Sequence, residues 1–276
     1  MSISRLVIMG AAGGSGVASY PPGSWTVANA AYLNTKGSTT PTAFTNDLYI
    51  SEDGVNVVTL SQSYTSYYYT MTTPWDISTL TYANKSLGLG NQTFGLTMNP
   101  EGTKLYTAEN NTNSIRERSL STAWDVSTAT NVNTFVYTAQ DTTANDVHFK
   151  PDGTKMYILG DVNDTVFEYD LSTPWSIVSA TFLQSFSIAA QDNQPYSMDM
   201  RDDGRVMMVQ GNQNDRIYQY DLSEPWDITS ATYIGFFSVS AQETNTSGLF
   251  FRPSGSDFYV TGFTSGVGFH QYTMLP

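Results

Sequence analysis

A repeat of about fifty residues constrains this chain more than any other feature. Tryptophans recur at intervals of 50, 49, 51 and 51 residues, and glycines that close a polar turn recur at 48, 51, 51 and 51. The tryptophans are Trp25, Trp75, Trp124, Trp175 and Trp226, and the glycines are Gly54, Gly102, Gly153, Gly204 and Gly255. Because two independent markers share one period, the sequence predicts five copies of a single structural unit.

Each unit has the pattern of four short strands. In the best-preserved copy the strand-like runs are Asp146–Phe149, Lys155–Leu159, Val166–Leu171 and Ala180–Ile188. The first two runs are joined by an Asp-Gly pair, a strong hairpin signal because glycine adopts the positive φ that the turn requires. Four antiparallel strands at this period are typical of a propeller blade, and no segment shows the 3.6-residue periodicity of a helical solenoid.

The last copy lacks a fourth strand, which the N-terminal region supplies. In complete copies the tryptophan follows the turn glycine by 22 residues, whereas the sequence ends 21 residues after Gly255. Trp25 is followed seven residues later by Tyr32, the spacing found in complete copies, so a strand around Ala30–Asn34 is predicted to complete the last blade. We therefore expect an all-β, five-bladed β-propeller over residues 25–276, closed by an N-terminal strand and preceded by an extended arm, residues 1–24.

Charge and composition exclude several classes of function. The net charge is −13 with only 12 Lys and Arg, which argues against nucleic acid because phosphate binding depends on cationic side chains. The absence of cysteine excludes disulfides and thiolate chemistry. No apolar run is long enough to span a membrane as a helix. The two histidines, His148 and His270, lack metal-ligand spacing, so neither a metal nor a cofactor is predicted.

Most of the recurring residues have an architectural interpretation. Two positions of the first strand are apolar in every copy, and period-two apolar residues normally face a core. The first position holds Leu48, Leu96, Val147, Met198 and Leu249, and the second holds Ile50, Met98, Phe149, Met200 and Phe251. The tryptophans are predicted to cover the outer edge of each blade, with part of the indole exposed.

Four polar residues of the first strands break the repeat and are candidates for chemistry at the channel mouth. They are Asp47, Asp146, His148 and Asp199. Glycoside hydrolysis needs one carboxyl group as acid and a second as base or nucleophile, and these residues could supply them. Short strands also begin with Asp simply to satisfy backbone groups at a turn, and we favour that interpretation, so no catalytic residue is assigned.

The sequence of the repeat resembles that of phage-encoded propeller proteins. The resemblance rests on F-x-P-D-G-T-K-M-Y followed by Y-D-L-S-T-P-W-x-I-x-S-A-T, and the opening R-L-V-I-M-G-A-A-G-G is similar to N-terminal segments of phage structural proteins. Blade 2 departs from the pattern, with Ala123 in place of proline.

This resemblance implies a non-enzymatic virion protein, such as a capsid decoration, fibre or tail appendage. Its arm, with the apolar strip Leu6, Val7, Ile8 and Met9, would bind other virion proteins, and its propeller would contact a host-surface glycan or receptor. The alternative hypothesis is a secreted carbohydrate-active enzyme or lectin of the five-bladed type.

Overall fold

The structure, a computed structural model, describes residues 26–37, 44–263 and 267–274. These residues form five antiparallel sheets of four strands each. Blade 1 contains β2 (Thr45–Ile50), β3 (Asn56–Ser61), β4 (Thr65–Met71) and β5 (Leu80–Gly88). Blade 2 contains β6 (Thr93–Met98), β7 (Lys104–Glu109), β8 (Ser114–Leu120) and β9 (Ala129–Val136). Blade 3 contains β10 (Ala144–Phe149), β11 (Lys155–Gly160), β12 (Thr165–Leu171) and β13 (Ala180–Ser187).

The remaining two blades follow the same plan. Blade 4 contains β14 (Pro195–Met200), β15 (Val206–Gly211), β16 (Arg216–Leu222) and β17 (Ala231–Ser238). Blade 5 contains β18 (Thr246–Phe251), β19 (Asp257–Gly262), β20 (Val267–Met274) and β1 (Ala30–Gly37). Short 3-10 turns lie at Val27–Asn29, Ile77–Thr79, Asn110–Thr112, Val126–Thr128, Ile177–Ser179 and Ile228–Ser230. The predicted five-bladed propeller is thus confirmed.

Closure of the ring follows the predicted route. β1 pairs antiparallel with β20, with Ala30 opposite Met274 and Tyr32 opposite Tyr272. The order of strands in blade 5 is therefore β1-β20-β19-β18, and its outermost strand comes from the other end of the described chain. The residues before Thr26, including Trp25 and the strip Leu6–Met9, lie outside the described residues.

The core lies between neighbouring blades. The apolar first-strand positions singled out in the sequence are all buried, with at most 9% of any of these residues exposed. One cluster, for example, joins Tyr106 of blade 2 to Phe149 and Ile158 of blade 3. Each sheet therefore buries both faces against its neighbours, which explains why nearly every residue of the second strands, β3, β7, β11, β15 and β19, is buried.

The described tryptophans lie where the repeat predicts, between strands three and four, and three of them (Trp75, Trp124 and Trp175) are partly exposed as expected, but their rings cover the first turn rather than the outer edge of the blade. Each described indole folds inward over the first turn of its own blade. A Cβ atom built on Gly153 would come within 2.3 Å of the Trp175 ring. The backbone N–H of Trp175 donates to the Gly153 carbonyl at 3.0 Å. The indole also stacks on Phe149, and the Trp175 carbonyl accepts from the Tyr106 hydroxyl of the preceding blade at 2.6 Å. Tryptophan thus connects two blades.

Outer strands carry a bulge in every blade. In blade 3, for example, the register shifts between Phe182 and Gln184, so Leu183 has no partner on β12. Such a bulge bends the strand and disrupts the edge that another chain would otherwise extend. Among the described residues, no helix is long and apolar enough to cross a membrane.

Candidate functional site at the channel mouth

The first strands of the five blades, β2, β6, β10, β14 and β18, surround a central channel. At the end nearest the first turns, this channel has an open cavity of about 80 Å³, called the funnel below. Its wall combines aromatic rings, such as Tyr49 and Phe250, with the polar residues that break the repeat. A concave site with apolar walls and a few convergent polar groups is the usual form of a binding pocket.

Three of the predicted channel residues are brought together here, and each links two blades. Asp47 accepts from the N–H of Leu96 in blade 2 at 2.7 Å. Asp146 accepts from the N–H of Met198 in blade 4 at 2.8 Å. In each case the second carboxylate oxygen accepts from the N–H of the next residue on its own strand.

Asp199 repeats the arrangement between blades 4 and 5. Its carboxylate accepts from the N–H of Phe251 at 2.6 Å and from that of Met200 at 2.7 Å. First strands of adjacent blades do not belong to one sheet, so these side chains satisfy buried backbone donors that no strand pairs. The sequence-based preference for a structural role agrees with this geometry.

Glycines make room for two of these carboxylates. A Cβ atom on Gly95 would lie 2.5 Å from the Asp146 Cα, and one on Gly248 would lie 2.7 Å from the Asp47 Cα. Asp and Gly therefore occupy equivalent positions of neighbouring blades because the first strands approach too closely for two side chains. This close approach is the physical reason for Gly95 and Gly248 in the irregular series Asp47, Gly95, Asp146, Ser197 and Gly248, whereas Ser197 has a small side chain whose hydroxyl donates to Asp146 at 2.8 Å.

Burial dominates the electrostatics of the channel. It raises the pKa of Asp47 well above its ordinary value, and the nearby Asp146 carboxylate raises it further. Burial also raises the pKa of Asp146 to about 7 and that of Asp199 well above its ordinary value. The backbone N–H donors act in the opposite direction but do not cancel the loss of hydration.

His148 lies beside Asp199, with its Nδ1 3.3 Å from a carboxylate oxygen. Burial lowers the pKa of His148 to about 4, so the ring is neutral at physiological pH. Its Nε2 is buried and has no hydrogen-bond partner within the described residues. The pair brings an acid and a base close together, but both oxygens of Asp199 are already bound to backbone N–H groups.

Two further carboxylates, Glu52 and Asp202, line the mouth of the funnel and were missed in the sequence. Both precede a turn glycine by two residues, where the other three blades have proline: Pro100, Pro151 and Pro253. Asp202 is exposed at the funnel mouth, but the partial loss of hydration there, followed by repulsion from Glu52, raises its pKa to about 6. The replacement of proline by an acid in only two blades was the signal that could have identified them.

The described residues contain no group of three or more His, Asp or Glu side chains arranged to hold a metal ion. The funnel therefore consists of structural carboxylates at its base, a neutral histidine on its wall and two carboxylates at its mouth. Chemically this arrangement can accept hydrogen bonds and attract a positive charge.

Comparison with known proteins shows that this chain resembles solved structures in its fold. No protein-family model matches the chain, and no curated protein matches it in sequence. Among solved structures, the β-propeller domain of Cps50 (Swd1) from Myceliophteria thermophila matches with a TM-score of 0.53 at 6% identity, over 89% of this chain and 100% of that one. A candidate 6-phosphogluconolactonase from Bacteroides uniformis matches with a TM-score of 0.51 at 12% identity, over 78% of this chain and 62% of that one.

A protein of unknown function from Desulfotomaculum acetoxidans is also similar, with a TM-score of 0.47 at 16% identity, over 82% of this chain and 64% of that one. This chain spans about three fifths of the length of the first structures that it matches. At these identities the likeness establishes the propeller fold. An enzyme-like name occurs among the similar folds, but none of these structures assigns an activity to this chain.

Proposed function

We propose that this chain is a non-enzymatic structural protein of a phage particle, anchored through residues 1–24 and displaying its propeller towards the host surface. The observation that carries the non-enzymatic part is the use of the channel carboxylates. Asp47, Asp146 and Asp199 each bind backbone N–H groups on two blades. A general acid or nucleophile needs an oxygen directed at a substrate, and these oxygens are directed at the protein's own backbone.

The virion part of the proposal is supported by sequence resemblance and by the surface of the molecule. The repeat F-x-P-D-G-T-K-M-Y is similar to that of phage propellers. The outer strands expose aromatic and aliphatic side chains beside polar ones, among them Tyr32, Phe182 and Tyr233. Exposed rings of this kind suit contact with a glycan or another protein, because they offer a large apolar face with few rotatable bonds.

Deletion of residues 2–20 tests the anchor. We expect the shortened protein to keep the circular dichroism spectrum and melting temperature of the full chain, but to be absent from purified particles when it replaces the wild-type copy. A variant with Val7→Ser and Ile8→Ser is a finer probe and should be incorporated poorly for the same reason. Mass spectrometry of gradient-purified particles measures both.

Two results would contradict the proposal. If the wild-type protein is missing from purified particles, the virion assignment is wrong. If the deletion variant is incorporated normally, residues 1–24 are not the anchor. A hydrolase activity lost in Asp199→Asn, with folding unchanged, would instead support the carbohydrate-active enzyme.

A further inference from the structure

The described chain joins the ring at the end of blade 5 that carries the first turn. Ala30, the first residue of β1, lies opposite Met274, and the N–H of Met274 donates to the carbonyl of Ser256 in that turn at 2.7 Å. In an antiparallel sheet the first and third turns lie at one end, and the hairpin between strands two and three lies at the other, with the connection to the next blade. We call these two ends of the ring the first-turn face and the hairpin face. Since the described chain begins at Thr26, residues 1–24 are attached to the ring on the first-turn face.

This point of attachment is fixed by packing. Val27 is fully buried between blades 4 and 5, and its N–H donates to the side chain of Gln219 at 2.8 Å. The chain cannot leave this position without opening the contact between the two blades. An arm that anchors the protein to a particle therefore draws the first-turn face towards the particle and leaves the hairpin face outward.

The two faces differ in cationic charge. Four of the 12 Lys and Arg residues lie in first turns: Lys150, Arg201, Arg205 and Arg252. The described loops of the hairpin face contain neither Lys nor Arg. These loops are residues 62–64, 89–92, 110–113, 137–143, 161–164, 188–194, 212–215 and 239–245. An anionic partner is bound best through cationic side chains, so the hairpin face does not suit one.

Most of the acids on the hairpin face are bound to the protein itself. The described loops contain six Asp and Glu residues, and three of them, Asp141, Asp192 and Glu243, are buried. Each of the three accepts from backbone N–H groups of its own loop, at 2.6–3.0 Å. Asp161 accepts from the side-chain amide of Asn145 at 2.9 Å. These four carboxylates therefore stabilise the loops.

Amide side chains dominate the hairpin face instead. Its described loops contain sixteen Asn and Gln residues, whereas the described first and third turns contain two, Asn29 and Asn99. Four glutamines are exposed, and their side chains make no hydrogen bond with the described residues: Gln62, Gln92, Gln194 and Gln213. An amide both donates and accepts hydrogen bonds, as the hydroxyl groups of a sugar do. Exposed amides of this kind suit adaptable contacts with an uncharged, hydroxyl-rich partner.

We propose that the first-turn face lies against the particle and that the hairpin face binds an uncharged glycan of the host surface. This inference deepens the proposed function and rests on it, because it names the face that meets the host and the chemistry that this face recognises. The partner is a glycan of neutral sugars, because the loops offer hydrogen-bonding amides without a cation.

Single cysteines test the orientation, since the chain contains none of its own. The variants are Val162→Cys and Gln213→Cys on the hairpin face, and Glu52→Cys and Asp202→Cys on the first-turn face. All four positions are exposed, and none of the four side chains forms a hydrogen bond with the described residues. In the free protein each cysteine should react with biotin maleimide. On purified particles the two cysteines of the hairpin face should still react, whereas the two of the first-turn face should be protected.

Beads coupled through the same cysteines test the ligand. The full chain is attached to fluorescent maleimide beads through Glu52→Cys, which leaves the hairpin face outward, or through Gln213→Cys, the matched control in which that face is covered. Flow cytometry measures binding to cells of the bacterial host on which the particles are grown. We expect the Glu52→Cys beads to bind and the control beads to lose binding. Periodate oxidation of the cells, which cleaves the vicinal diols of sugars, should abolish binding, whereas high salt or protease treatment of the cells should leave it unchanged.

Equal labelling of all four cysteines on particles, or protection of the hairpin face alone, would overturn the proposed orientation. Absence of binding by the Glu52→Cys beads, or equal binding by the control beads, would show that the hairpin face is not the binding surface. Loss of binding in high salt or after protease treatment would show that the partner is charged or is a protein. These outcomes differ from failure of the proposed function, in which the wild-type protein is absent from purified particles. In that case the beads still test the hairpin face by itself.

Discussion

At the scale of single residues, the channel shows how a carboxylate can act as part of the framework. Asp146 accepts from the N–H of Val147, the N–H of Met198 and the hydroxyl of Ser197, all of them buried. Asp146→Ala would leave these donors without an acceptor. We expect it to lower the free energy of unfolding by about 2–4 kcal/mol, as measured by urea denaturation.

Asp202→Ala is the control for this substitution. Asp202 lines the same funnel but is exposed and has no hydrogen-bond partner in the described chain, so its loss should change stability by less than about 0.5 kcal/mol. If Asp146→Ala were as stable as the wild type, the carboxylate would not hold blades 3 and 4 together.

The sequence identifies the channel carboxylates as departures from the repeat, but it does not indicate which groups they contact. Asp47, Asp146 and Asp199 were found because they occupy places where other blades have Gly, Ser, Thr or an aromatic residue. Their partners are backbone groups about fifty residues away, and no local pattern encodes such a contact. Glu52 and Asp202 were not predicted, because they replace proline in a turn, whereas the other channel residues depart from the repeat within a strand.

At the scale of the element, the first turn and the tryptophan form one unit. Gly153 has φ +72°, which side-chain-bearing residues rarely adopt, and the Trp175 ring occupies the space where a Cβ would be. We expect Gly153→Ala to lower the free energy of unfolding by about 2–3 kcal/mol, from the left-handed backbone and the clash together.

A control and a double variant separate the two causes. Gly235→Ala lies on an outer strand with no atom within 4 Å of the new Cβ, so its effect should stay below about 0.5 kcal/mol. In a Trp175→Ala background the clash is gone, so Gly153→Ala should cost only about 1–2 kcal/mol. Fully additive effects would show that the ring and the glycine are not coupled.

The repeat predicts the strands and their order correctly because its two recurring residues, the glycine and the tryptophan, lie in turns. Glycine fixes the first turn and tryptophan the third, so the strands between them are determined to within a few residues. The inward position of the indole was not predictable, since it depends on Phe149 and on Tyr106 from another blade. The bulges in the outer strands carry no residue signature and were missed for the same reason.

At the scale of the whole molecule, stability depends on joining the two ends of the described chain. Val27 is fully buried in a cluster with Phe258 and Tyr272 of blade 5 and with Met208 of blade 4. Its N–H donates to Gln219 of blade 4 at 2.8 Å. The segment 26–37 therefore supplies an outer strand and also a wedge between two blades, so the ring is closed by packing as well as by strand pairing.

Removal of residues 1–37 tests this closure. The truncated chain would expose the edge of β20 and the apolar cluster that Val27 covers, so we expect a lower melting temperature and self-association in analytical ultracentrifugation. A synthetic peptide of residues 26–37, added in excess, should restore the melting temperature in a concentration-dependent way, because it binds only the folded ring. The deletion of residues 2–20 keeps this strand and should behave like the full chain. A truncated protein that remained monomeric and as stable as the full chain would show that a three-stranded fifth blade is enough to close the ring, and that β1 is dispensable.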